Sequence, residues 1–208
     1  MNKPVKKPVN KKQLRRQIRT ARQQLSQQQQ DNAANQLAVH VLTQVKQHNQ
    51  GHAEKVALFL SMDGEINTQP TIEQLWQAGI ETYLPVIHPF NDKQLIFLRY
   101  LPDTPLLRSH LGMLEPQLNC QQLCPLEQLD ILYTPLVAFD AKGHRLGMGG
   151  GFYDRTLAGH YRQQRSQPQI IGLAHDCQQA DAVPTDPWDI PLTEIITPTE
   201  HFRFWFCF

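Results

Sequence analysis

The run Asp130–Phe139 (DILYTPLVAF) is apolar at nearly every position. It passes at once into a glycine-rich segment, Asp140–Gly151, and then into a predicted helix, Phe152–Tyr161. Consecutive apolar residues fit a strand covered on both faces, as in a parallel sheet. A second run, Lys55–Met62 (KVALFLSM), has the same character. Shorter strands are expected at Glu81–Ile87, interrupted by Pro85, and at Leu95–Tyr100, Gln169–Ala174 and Glu194–Thr197. The Pro-rich stretch around Leu111–Pro116 carries little regular signal. A helix is expected from Lys11 past Leu25, because Leu14, Ile18, Ala21 and Leu25 share one helical face. Ser26 is placed to cap a second helix with Leu37, Val41, Leu42 and Val45 as its stripe. Thr71–Ala78 reads as a short helix. Strands alternating with helices predict an α/β fold: a layered single domain with a largely parallel central sheet flanked by helices. With 208 residues, 40% of them hydrophobic, the chain can bury a core of that size. The expected domain spans 11–208, behind a mobile basic tail at 1–10.

Charge is unevenly spread. The first 22 residues carry nine Lys and Arg and no acid, which leaves the rest with 11 basic against 19 acidic residues. Lys11, Arg15, Arg19 and Arg22 fall on one face of the first predicted helix. A basic end on an acidic body suggests an anionic ligand near the N-terminus. Nucleic acid, a membrane surface and a nucleotide phosphate all remain open on charge alone. Cys120 and Cys124 lack a matching Cys/His pair, so zinc is not expected, and few cysteines suit a reducing compartment. No window is long and apolar enough for a membrane span, and no apolar segment follows the basic N-terminus as in a secretory signal. A cytoplasmic monomer without membrane contact is the expectation.

The chemistry concentrates in Arg145–Arg155 (RLGMGGGFYDR), where Gly147, Gly149, Gly150 and Gly151 fall within five residues. Successive N–H groups of such a loop can cradle an anion, and a following helix adds partial positive charge. No Gly-Lys-Ser/Thr closes the loop, so it is not a Walker A motif. Asp154 stands too near the glycines to read a ribose in a dinucleotide fold. A tight strand-to-helix turn is the alternative reading.

The longer segment Phe139–Arg155, with Asp140, Arg145, the four glycines, Tyr153 and Asp154, resembles the signature of the 5-formyltetrahydrofolate cyclo-ligase family, also called methenyltetrahydrofolate synthetases. Three further segments match in order: Lys11-x-x-x-Arg15-x-x-x-Arg19 with Leu25-Ser26, Phe59-Leu-Ser-Met-x-x-Glu-Ile-x-Thr68, and Gly112-x-x-Glu-Pro116. The resemblance covers residues 11–197. It implies an architecture like that of sugar-phosphate isomerases and CoA-transferases, and an ATP-dependent conversion of 5-formyltetrahydrofolate to 5,10-methenyltetrahydrofolate. On that basis Lys11, Lys12, Arg15, Arg19, Arg145, Leu146, Gly147, Met148, Gly149, Gly150, Gly151, Phe152 and Tyr153 are expected to bind ATP. Leu60, Met62, Glu65, Met148, Gly149, Gly150, Gly151 and Phe152 are expected on the folate side. Arg145 and Tyr153 are the expected catalytic residues, and Asp154 and Asp189 the expected Mg²⁺ ligands. Some members carry basic residues at the places of Met148 and Gly150, so here more of the charge must come from the first helix and Arg145. The rival reading is a nucleic-acid-binding α/β domain with a basic arm. The acidic body and the lack of interleaved aromatics weigh against it.

Overall fold

A computed structural model describes residues 10–48, 53–163, 165, 167–186 and 188–205. The expected tail at 1–10 lies outside these residues apart from Asn10, as does Cys207. The helices are α1 (Lys11–Gln23), α2 (Gln27–Gln47), α3 (Gln69–Gln77) and α4 (Phe152–Arg162). The strands are β1 (Lys55–Ala57), β2 (Glu81–His88), β3 (Asn91–Arg99), β4 (Leu106–Arg108), β5 (Leu114–Pro116), β6 (Leu123–Cys124), β7 (Ile131–Pro135), β8 (Ala138–Phe139), β9 (Arg145–Leu146), β10 (Gln169–Leu173), β11 (Glu194–Ile196) and β12 (His201–Arg203). An eight-stranded sheet has the order β12-β11-β10-β7-β1-β2-β3-β6. Its centre, β11-β10-β7-β1-β2, is parallel, and both edges are antiparallel. The largely parallel sheet flanked by helices is therefore present.

Asn10 caps α1 by accepting a hydrogen bond from the Lys12 amide at 2.8 Å. Leu14 and Ile18 are buried against Val137, Ala138 and Leu146. This contact lays α1 across the β8–β9 hairpin and carries its basic residues over the glycine loop. Helix α1 ends at Gln23, so Leu25 lies in the connection rather than on the stripe. Ser26 caps α2 through a reciprocal pair with Gln29. Leu37, Val41 and Val45 then enter the core beside Leu58, Ile72 and Ile131.

Several further local expectations need correction. Pro85 does not interrupt its strand: β2 runs unbroken from Glu81 to His88, with Pro85 opposite Phe97. The run Lys55–Met62 is not one strand: β1 ends at Ala57, and the Leu58 amide makes a last bond to the Tyr83 carbonyl at 2.9 Å. Beyond it the chain leaves the sheet to reach the turn at Asp63 and Gly64, both at positive φ (53° and 74°). Asp130–Phe139 also divides, because Pro135 ends the ladder with β10 and Ala138 opens the β8–β9 hairpin. The Pro-rich stretch forms the β4–β5 hairpin. Glu194–Ile196 is not the final strand, since β12 pairs with it, and Phe202 packs edge-on to Phe139 at 5.2 Å.

Candidate functional site

The site lies where the chain leaves the C-terminal ends of β1 and β7, as expected of ligands in parallel α/β sheets. Two cavities meet there. The first, about 260 Å³, is mostly apolar and is lined by Phe59, Leu60, Met62, Leu84, Pro85, Leu136 and Phe152, with Glu65 among them. The β4–β5 hairpin closes it through Leu111, Met113, Leu114 and Glu115. The second, about 460 Å³, is polar and is lined by Lys11, Arg15, Leu146, Gly149, Asp186, Trp188 and Asp189. Arg145, Gly147, Gly151 and Asp154 line both. The glycine loop is thus the partition between an apolar chamber and a charged one.

The partition is held by its own polar groups. Arg15 Nε donates to the Gly147 carbonyl at 2.8 Å. Arg155 donates to the Gly150 carbonyl and, through Nε, to the Lys93 carbonyl at 2.8 Å. Gly149 has φ +106°, a value L side chains rarely adopt, and a Cβ there would face the Arg15 guanidinium at 3.7 Å. Gly151 caps α4 in the left-handed conformation, so the positive end of that helix faces the loop. Arg145, almost fully buried, forms an ion pair with Asp154. Its Nε reaches the Ile190 carbonyl at 3.3 Å.

Lys11 Nζ stands 2.7 Å from Asp186 and 2.5 Å from Asp189. Partial burial opposes its charge, but the two carboxylates prevail and raise its pKa. On the apolar side, Glu65 is 8% exposed and accepts from the Met62 amide at 3.2 Å. Burial pushes its pKa from 4.5 up to about 7, against the pull of Arg22. Burial, reinforced by the Glu65 charge, raises the Tyr153 phenol well above its ordinary value, so it stays protonated near neutrality.

A protein-family model described as the 5-formyltetrahydrofolate cyclo-ligase family matches residues 7–198. The chain belongs to the 5-formyltetrahydrofolate cyclo-ligase family. It is 48% identical over 178 residues to the 5-formyltetrahydrofolate cyclo-ligase of Haemophilus influenzae, covering 86% of this chain and 92% of that one. To the Escherichia coli K12 cyclo-ligase it is 47% identical over 185 residues, covering 88% and 97%. Among solved structures, a 5,10-methenyltetrahydrofolate synthetase from Mycoplasma pneumoniae superimposes with TM-score 0.70 at 25% identity, over 91% of this chain and 99% of that one. The Aquifex aeolicus synthetase gives TM-score 0.72 at 27% identity, over 94% and 93%.

Within this cyclo-ligase fold the residues expected from sequence divide between the chambers only in part as expected: Met148, Gly150, Phe152 and Tyr153, expected at ATP, line only the apolar cavity, and Gly149, expected on the folate side as well, lines only the polar cleft. Lys11, Arg15, Arg145, Leu146, Gly147, Gly149, Gly151, Asp154 and Asp189 line the polar cleft. Leu60, Met62, Glu65, Met148, Gly150, Phe152 and Tyr153 line the apolar cavity. Lys12 is exposed and lines neither. Arg19 is turned to the Asp63 carboxylate, at 2.6 and 3.0 Å. Asp154 and Asp189 face the same cleft, each now paired with a cation. Among the described residues, no group of three or more His, Cys, Asp or Glu converges as a preformed metal site.

Sequence reasoning did not select Glu115, Arg155 or Asp186. Glu115 carries a buried Oε1 without a hydrogen-bond partner, and burial raises its pKa. Its only signal was membership of the Gly112-x-x-Glu-Pro116 segment. No described helix is long and apolar enough to cross a membrane.

Proposed function

We propose that this chain cyclises 5-formyltetrahydrofolate to 5,10-methenyltetrahydrofolate at the expense of ATP, with the triphosphate in the polar cleft and the pterin in the apolar cavity. The observation that carries this reading is the shared partition: Arg145, Gly147, Gly151 and Asp154 face both chambers. A phosphoryl group entering from one side therefore meets a carbonyl oxygen held on the other.

The formyl oxygen attacks the γ-phosphorus, the bond to the β,γ-bridging oxygen breaks, and ADP leaves. Nitrogen N10 then attacks the activated formyl carbon. The carbon–oxygen bond breaks, phosphate departs, and the N10 proton goes to solvent. Phosphoryl transfer asks a protein mainly for positioning and charge neutralisation. Lys11 and Arg15 supply cations from α1, the loop supplies backbone N–H donors, and Arg145 adds charge at the boundary. The Glu65 carboxylate accepts from pterin N–H groups, and Tyr153, neutral near pH 7, packs beside it.

The cleft's donors also suit Mg²⁺, which favours one or two carboxylates together with substrate phosphates and water. Asp154 and Asp189 would hold it, and the bound ion would neutralise part of the triphosphate charge. A cytoplasmic setting fits this reading, because the free thiols of Cys120, Cys124 and Cys177 would stay reduced there.

Against an arm for nucleic acid, Lys11, Arg15, Arg19 and Arg22 all engage partners within the body. The deciding assay mixes the protein with 5-formyltetrahydrofolate, ATP and Mg²⁺ and follows the near-ultraviolet absorbance of the methenyl product. The expected outcome is an ATP-dependent rise with one ADP per product. No rise at high enzyme concentration would overturn the reading.

A further inference from the structure

Among the described residues Arg22 is the largest side chain with no solvent exposure, yet it has no place in the chemistry above. It lies on α1 one turn beyond Arg19. Its Nε donates to the Asp63 carbonyl at 2.9 Å, and its Nη2 donates to the Asp63 carboxylate at 2.9 Å. The same Nη2 stands 3.9 Å from Glu65 Oε1 and 4.0 Å from the Met148 sulfur. A fully buried guanidinium is costly, and its Nη1 has no hydrogen-bond partner. The turn it grips holds Asp63 and Gly64 at positive φ, and a Cβ on Gly64 would meet the Arg22 side chain at 3.4 Å. One residue thus joins the phosphate-side helix, the turn before Glu65 and the glycine loop.

Resting on the folate reading above, we propose that Arg22 is a positioning residue for folate recognition: it seats the Asp63–Gly64 turn and holds the Glu65 carboxylate as an acceptor in the apolar cavity. The surrounding charges agree. Burial, and to a smaller degree Asp63, work against a charged Glu65, and Arg22 works for it. Asp63 is kept ionised first by Arg19 and then by Arg22, although burial opposes this. Tyr153, facing Glu65 from α4, is neutral. The buried His175 is pushed down to about 4 by burial and by the Arg22 charge, so it adds no cation near neutral pH. Arg22 is therefore the cation that offsets the burial of Glu65.

The test measures Kd for 5-formyltetrahydrofolate and, separately, for ATP with Mg²⁺ by calorimetry, from pH 6 to 9. The proteins are the full chain and its Arg22→Gln, Arg22→Lys, Glu65→Gln and Arg22→Gln/Glu65→Gln variants, each checked by thermal melting. Arg22→Gln is expected to weaken folate binding about tenfold at pH 7.5, the scale of one charge-assisted contact, with ATP affinity held within about twofold. Its acid limb of folate binding should move to higher pH, and Arg22→Lys should restore part of both effects. In the Glu65→Gln background, Arg22→Gln should add less than about twofold, because two residues acting through one contact are not additive. Equal losses for both ligands, an unmoved pH limb, or full additivity would overturn the proposal. If Arg22→Gln does not fold, Arg22→Lys and Asp63→Asn carry the same comparison with Glu65→Gln, and additivity there is equally decisive. Wild-type protein that binds folate but does not cyclise it would defeat the reaction while leaving the Arg22 comparison intact. Wild-type protein that does not bind folate would defeat both.

Discussion

Arg15 Nε donates to the main-chain carbonyl of Gly147 at 2.8 Å, across 132 residues of sequence. This bond joins the cationic helix to the glycine loop at the place where both face the polar cleft. It predicts a division of labour between ligands. Arg15→Ala should raise the KM for ATP about ten- to a hundredfold, as expected for losing a charged hydrogen-bonding group worth about 1.5–3 kcal/mol. The KM for 5-formyltetrahydrofolate should stay within about twofold. Steady-state kinetics with each substrate varied in turn checks this, and parallel losses would contradict it.

Asp154 carries the next expectation. Its carboxylate faces the cleft and pairs with Arg145. Asp154→Asn keeps the shape and removes the charge, so activity should fall and the Mg²⁺ concentration for half-maximal rate should rise. Titration with Mg²⁺ and then Mn²⁺ is the measurement. A variant rate insensitive to either metal would remove Asp154 from the metal site.

Gly149 gives a backbone test. At φ +106° any L side chain is strained, and its Cβ would point at the Arg15 guanidinium. Gly149→Val should cost about 1–3 kcal/mol locally and cover the face that meets phosphate. The KM for ATP should rise at least about tenfold, with a melting temperature lowered by about 2–12 °C. An unchanged KM would contradict a phosphate role for this part of the loop.

Glu65 links pH to both stability and binding. Its pKa is raised from 4.5 to about 7 in the fold, with burial as the main cause. Between those values the folded state keeps a proton that the unfolded chain has released. The contribution of Glu65 to stability is therefore full below pH 4.5 and is lost as pH rises towards 7. Above pH 7 the buried charge remains as a cost. Glu65→Gln should match wild type near pH 4.5 and exceed it by about 1–3 kcal/mol at pH 8 in urea unfolding. Folate affinity should show the opposite trade, with wild type weakening below pH 7 and the variant weak throughout. A stability difference that does not grow with pH would contradict the burial account.

Much of this layout is legible from local pattern. The stripes of α1 and α2, the Ser26 cap and the glycines before Phe152 each depend on neighbours within a few turns, which is the range over which periodicity and capping act. The apolar runs marked β1 and β7 correctly as central strands. Their ends were not legible, because Pro135 and the Asp63–Gly64 turn act through what the chain meets after leaving the sheet. The β4–β5 hairpin and β12 escaped notice for a related reason. They are short edge elements whose partners, not their composition, make them strands.

The site divides along the same line. Residues inside the glycine segment could be named from sequence, since the loop's chemistry is local. The pairing of Arg19 and Arg22 with Asp63, and of Lys11 with Asp186 and Asp189, could not. Equally spaced cations on one helix look alike until the fold places carboxylates beside them. Glu115 reaches the apolar cavity because its hairpin packs against β2, beside Leu84 and Pro85.

In the proposed reaction a phosphoryl group crosses from the charged chamber to an oxygen held in the apolar one. Substrate carrying ¹⁸O in its formyl group tests this most directly, with mass analysis of the phosphate released during turnover. One ¹⁸O per inorganic phosphate is the predicted result. Phosphate without the label, formed alongside the methenyl product, would contradict transfer to the formyl oxygen.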